Sequence, residues 1–215
     1  MKNNLINKTF VWMWLGLLVT FLTAFVVSIN ENMLLNIFSG IGYIICIVVE
    51  IALVIFLSAR IMKMEPTTAK VVFLLYSFVS GLTFSSIFIV YEVTSIMYIF
   101  LLTALVFGVM AFIGYTTKID LTKIGTYFIF GLLGALLVTI INSLFIHSSG
   151  LELTISIIIL ILFLAVTAHD VQKIKALEGS GLPEDNLAIY GALDLYLDFI
   201  NIFLDLLRLF GNAKD

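Results

Sequence analysis

Near the C-terminal end of this 215-residue chain, three aspartates sit inside an otherwise apolar run, Gly191-Ala192-Leu193-Asp194-Leu195-Tyr196-Leu197-Asp198-Phe199-Ile200-Asn201-Ile202-Phe203-Leu204-Asp205-Leu206-Leu207-Arg208. Groups of this kind can exchange protons, share one proton between two carboxyls, or bind a hard cation through oxygen. Asp194, Asp198, Asn201, Asp205 and Arg208 are spaced 4, 3, 4 and 3 residues apart. On a helix of 3.6 residues per turn they form one narrow stripe, with Leu, Ile and Phe elsewhere. A carboxylate near a bilayer centre costs about 2.5–3.5 kcal/mol on insertion scales. The stripe is therefore expected to face protein or water, not lipid.

The elements that must position this stripe are membrane spans. The chain is 62% hydrophobic and 12% charged, against about 45–50% and about 25% in soluble domains. That excludes a soluble domain of useful size and gives no nucleic-acid-binding surface. The formal charge of −3 says less than where the charges stand. The one cysteine, Cys46, lies in an apolar run and reads as a small buried hydrophobe, so no disulfide framework exists. Lys2 and Lys8 precede an apolar run from Phe10 to Ile29 that is too long for the core of a signal peptide and reads as a retained first span.

Apolar runs predict an all-α integral membrane protein, one domain over 1–215, with seven spans at about 10–29, 34–59, 71–91, 95–115, 124–146, 153–174 and 187–210. Short polar breaks separate them, for example Asn30-Glu31-Asn32 and His147-Ser148-Ser149-Gly150. Nine basic residues fall on one side: Lys2, Lys8, Arg60, Lys63, Lys70, Lys118, Lys123, Lys173 and Lys175. Only Arg208 and Lys214 fall on the other. The positive-inside rule puts the N-terminus in the cytoplasm and the C-terminus outside. Small residues such as Gly81, Gly108, Gly131 and Gly134 read as ordinary close packing of membrane helices.

With loops set aside, the ionisable residues are Glu50, Arg60, Asp170, Asp194, Asp198, Asp205 and Arg208, with His169 before Asp170. Counting inward from the loop between the last two spans, Asp170 and Asp194 both lie roughly 10 Å deep and Asp198 roughly 16 Å. Two or three carboxylates thus come to similar depth on neighbouring helices. Crowded in a low dielectric, they cannot all ionise cheaply. Such a group is a pH sensor, and its alternative occupants are Arg60 as a counter-charge or a hard cation such as calcium. No Cys/His cluster favours a transition metal, and no cofactor is implied. Plainer roles stand beside these. Asp170 is alternatively an interfacial residue near Lys173, Asp205 a partner of Arg208, Glu50 a structural hydrogen-bonding acid, and His169 a packing histidine. His147 reads as an outer-loop residue, and Trp12, Trp14 and Tyr127 as interfacial anchors.

The run Ala192 to Leu204 followed by Leu206-Leu207-Arg208 resembles the Bax inhibitor-1 (transmembrane Bax inhibitor motif) family. Leu57-Ser58-Ala59-Arg60-Ile61-Met62-Lys63-Met64, Phe78-Val79-Ser80-Gly81-Leu82-Thr83 and His169-Asp170-Val171-Gln172-Lys173-Ile174 agree with it. The resemblance covers the whole chain and suggests a small bacterial member. It implies six helices surrounding a central seventh, and a pH-dependent calcium leak. It places the family's paired aspartates at Asp170 and Asp198, its latch arginine at Arg60 and its second-span acid at Glu50. The motif thus pairs Asp170 with Asp198, whereas the depth count sets it level with Asp194. Asp194 stands where relatives often carry no charge and would add a third carboxylate to an ion pathway with Glu50 and, at the outer mouth, Glu92.

The leading expectation is a proton-gated calcium leak, not an enzyme, in a bacterial plasma membrane; an endoplasmic reticulum membrane is the alternative. Its partners are the lipid bilayer, calcium ions and protons. A non-transporting regulator or scaffold is the second reading. An intramembrane aspartyl protease is the third: two aspartates on consecutive helices suit it, but Gly191-Ala192-Leu193-Asp194 lacks the second glycine of the presenilin-type motif, and Pro66 and Pro183 both lie in loops.

Overall fold

The computed structural model describes residues 4–38 and 41–214. Helices account for nearly all of them: α1 (Asn4–Ser28), α2 (Glu31–Phe38), α3 (Gly42–Arg60), α4 (Pro66–Phe84), α5 (Ile87–Val90), α6 (Val93–Thr116), α7 (Thr122–Ile141), α8 (Ser149–Ala176) and α9 (Glu184–Phe210). Among the described residues there is no strand beyond one isolated antiparallel bridge, Tyr91 to Ala213. Seven helical segments are long and apolar enough to cross a membrane.

Burial runs opposite to that of a soluble protein. In the most apolar stretch of Tyr127–Ile146 only 6% of the residues are buried, and in that of Gly42–Lys63 11%, whereas in that of Glu184–Phe210, which carries the aspartates, 67% are. Large side chains such as Ile55, Phe112 and Phe130 stand exposed. Exposed apolar surface on this scale belongs against lipid. This is an integral membrane protein.

The Cα packing divides the chain into two compact units. The first takes the described residues of Met1–Val93, Leu177–Tyr196 and Ala213–Asp215. Here α1 packs along α4, and α3 also packs on α4. The buried residues of α1, from Leu5 and Thr9 through Met13, Gly16 and Thr20 to Ala24, recur every three or four positions and so form one face. The helices touch closely at Gly81, where a Cβ would lie 2.7 Å from the Thr20 carbonyl oxygen. Helix α4 starts at Pro66, five residues before the expected 71, because proline is suited to a first helical position whose N–H needs no helical partner. It also stops before the expected 91. Ser85 and Ser86 hydroxyls donate to the Leu82 and Thr83 carbonyls (2.6 and 2.9 Å), competing with the helical ladder, and α5 follows as a single turn. The second span, expected unbroken over 34–59, is two helices, α2 and α3. Ser39 and Gly40 lie outside the described residues; the stretch holds Gly40 and Gly42, and glycine is the poorest helix former after proline.

The second unit takes Thr94–Ala176 and Leu197–Asn212. Buried Ser95, Ile99, Thr103, Phe107, Ala111 and Gly114 again line one face of α6. Phe107 and Phe100 stack at tilted angles with Phe199 of α9, at centroid distances of 5.5 and 5.2 Å. Helix α7 packs on α8. Gln172 of α8 pins the preceding loop, accepting from the Leu121 N–H and donating to the Ile119 carbonyl, both at 2.8 Å. The span expected to run on to 146 leaves α-helical geometry at Ile141 and continues as a π turn, Asn142–Ile146.

Gly114 marks a closest approach in this unit, since a Cβ there would collide with the backbone carbonyl of Ala168. Backbone cannot swing aside as a side chain can. Gly114→Ala is expected to cost about 1–3 kcal/mol through overpacking. Thermal unfolding in detergent checks it against Gly108→Ala, whose Cβ would meet nothing within 4 Å and which should unfold no earlier than the parent.

Candidate functional site

The aspartate stripe lies on α9, and its members meet different surroundings. Asp198 is 3% exposed and Asp205 5%. Asp194 and Asn201 are half-buried and Arg208 is exposed. The apolar positions between them, Leu193, Leu195, Tyr196, Phe199, Ile202 and Leu207, are buried as well. Protein covers most of the circumference of α9, so even its non-aspartate faces are packed.

In the first unit, the candidates are Glu50, Arg60, Glu92 and Asp194. Glu50 of α3 accepts a 2.6 Å hydrogen bond from the hydroxyl of Ser80, a fully buried residue of α4. The structural reading of this acid is therefore realised in the geometry. In the same unit, Thr20 of α1 donates to the Ser77 carbonyl of α4 at 2.8 Å and meets the buried Tyr196 hydroxyl of α9 at 2.7 Å. Arg60 ends α3 and is exposed, as is Glu92 between α5 and α6. At the start of α9, Asp185 takes ion pairs from Lys8 (3.2 Å) and Lys70 (2.6 Å), and buried Asn186 donates to the Ile61 and Met64 carbonyls at 2.6 and 2.9 Å. These contacts tie α9 to α1, α4 and the end of α3. Sequence reasoning passed over them because Asp185 and Asn186 had been read as loop.

In the second unit are Asp170 and Asp198. Asp170 is half-buried on α8, with its Oδ1 2.8 Å from Nδ1 of His169. His169 thus makes a polar contact with the adjacent carboxylate besides its packing. Gly125 of α7 makes room for it: a Cβ at that position would overlap the imidazole ring. No signal in one sequence links a glycine to a histidine 44 positions away. Asp205 pairs with Arg208 at 3.7 Å, one helical turn on, as its spacing allowed; Arg208 also donates to the Ser156 hydroxyl at 3.2 Å. Asp205 Oδ2 has no hydrogen-bond partner among the described residues. No group of three or more His, Cys, Asp or Glu side chains among the described residues is arranged to hold a metal ion.

The Ser80–Glu50 bond yields a direct expectation. Ser80→Ala leaves a half-buried carboxylate without this donor and should lower stability by about 1–3 kcal/mol. Glu50→Gln keeps an acceptor oxygen in place and should cost less. Unfolding midpoints of the two variants in detergent decide the order.

A model of the family described as "Inhibitor of apoptosis-promoting Bax1" matches residues 2–215. The chain is 41% identical over 209 residues to inner membrane protein YbhL of Escherichia coli (strain K12), covering 94% of this chain and 89% of that protein. It is 40% identical over 219 residues to an uncharacterized protein of Borreliella burgdorferi, covering 100% and 94%. It is 37% identical over 211 residues to an uncharacterized protein of Deinococcus radiodurans, covering 97% and 90%.

Proposed function

The chain belongs to the Bax inhibitor-1 family, and from that premise we propose that it is a pH-sensitive leak for calcium across a bacterial plasma membrane, gated by protonation of Asp170 and Asp198. The observation that carries this reading is the burial of Asp198, 3% exposed on a membrane-spanning helix. An ionised carboxylate in such a place is costly unless it is paired or protonated. Its charge state is thus a large local energy term, and packing around it responds to whether the proton is there. Asp170 belongs to the same compact unit and is joined to His169 at 2.8 Å.

In this reading calcium is the cargo. Glu50, Asp194 and Glu92 supply single oxygen ligands along its path, weak enough to release it. Arg60, exposed at the end of α3, is the latch that the family resemblance implies. The positive-inside count puts Arg60 and Asp170 at the cytoplasmic side, with the N-terminus inside and the C-terminus outside. The aspartates act as proton-exchanging gate groups, not as the acid and base of a protease. The inner-membrane name of the Escherichia coli relative supports the plasma-membrane location.

Purified protein in liposomes tests this. Wild-type calcium flux should differ between acid and neutral pH, and Asp198→Asn should flatten that dependence while the protein stays folded. Equal wild-type flux at both pH values would contradict the proposal.

A further inference from the structure

At the junction of α7 and α8, about 30 Å along α8 from Asp170, the helix widens into the π turn Asn142–Ile146, and His147 closes it in the left-handed region at φ 54°. Such turns are uncommon and concentrate at functional sites. Both ends of the buried Asn142 side chain hold this one. Its Nδ2 donates to the Ser148 carbonyl at 3.1 Å and its Oδ1 accepts from the Ser148 N–H at 3.0 Å. Beside the turn is a cavity of about 400 Å³ lined by Asn142, Ser143, His147, Glu152 and Arg208, among others. The Arg208 side chain is 44% exposed. Its guanidinium has five N–H donors, and one protein hydrogen bond is made among the described residues, to Ser156.

Ile155 lines this cavity and also a second one of about 250 Å³, which is apolar and lies between α7 and α8. Gly131, Gly134 and Ala135 line it with Ile158. Gly134 gives it depth, because a Cβ there would meet no atom within 4 Å. The groove opens on the span with least protein cover. A polar chamber next to a lipid-facing apolar groove, with Ile155 lining both, suits an amphiphile: a head in the first and a chain in the second. The charges narrow the head. Arg208 is positive, Glu152 is negative, and Asp205 already offsets part of Arg208. A purely anionic head would meet the Glu152 carboxylate, whereas a zwitterion finds a partner for each of its charges.

We propose that these adjoining cavities in the second unit bind a zwitterionic aminophospholipid, its phosphate on Arg208, its ammonium toward Glu152 and an acyl chain along the Gly134 groove. The phosphate contact is charge-assisted and two-pronged where geometry allows. The groove contact is dispersion and excluded lipid void.

The test is native mass spectrometry of the full chain in detergent, titrated with phosphatidylethanolamine and with phosphatidylglycerol of the same acyl chains. Wild type should retain phosphatidylethanolamine in preference. Gly134→Leu, which fills the groove without a clash at Cβ, and Arg208→Gln should each weaken that binding about tenfold. Exposed Glu152→Gln should remove the preference between the two lipids while leaving the fold intact. Equal retention of both lipids by wild type marks an annular lipid only and overturns the proposal. So does phosphatidylethanolamine binding that Gly134→Leu leaves unchanged, or glycerophosphoethanolamine without acyl chains binding as tightly as the lipid.

Discussion

A bilayer offers no water to polar groups, so every charge or hydrogen-bonding side chain placed in a span must be answered by the protein itself. That constraint orders this molecule. Its most covered span carries Asp194, Asp198 and Asp205 and has the lowest mean hydropathy of the seven, 1.6. Where polar groups enter the interior, partners follow. Ser80 serves Glu50, Thr20 joins Tyr196 to the Ser77 carbonyl, and Arg208 stands by Asp205 and Ser156. These bonds hold most of the named buried polar groups, and Asp205 Oδ2 is left without one among the described residues.

The same constraint links structure to function. Satisfied polar pairs such as Ser80–Glu50 fix helices in place, because breaking them exposes a buried group. Ionisable groups differ, since a proton changes what they require of their surroundings. Asp198 is buried and Asp170 touches His169, and the proposed gate rests on these two groups. Helix α9 is firmly anchored at its first turn by Lys8, Lys70 and Asn186.

Much of this was legible in the sequence for one physical reason: lipid demands apolar runs of fixed length, and charges inside them stand out. The seven spans and the Asp205–Arg208 pair follow from composition and helical spacing. What was hidden depended on groups distant in sequence or on local competition for hydrogen bonds. A leucine reads the same whether it faces lipid or protein, so the burial of Leu193, Leu195 and Phe199 around α9 had no signature. The break at Ser85-Ser86 and the π turn at Asn142 turn on which carbonyl a side chain reaches. The place of His169 depends on the absence of a side chain at Gly125, and one sequence cannot report such a pairing.

The central claim is that Asp198 takes up and releases a proton in the pH range where the protein works. Infrared difference spectroscopy of the protein in lipid, titrated between acid and neutral pH, reads that event directly through the carboxyl C=O stretch. The account predicts a band that grows on acidification and is missing in Asp198→Asn. A wild-type spectrum with no pH-dependent carboxyl band, or one that Asp198→Asn leaves unaltered, would contradict it.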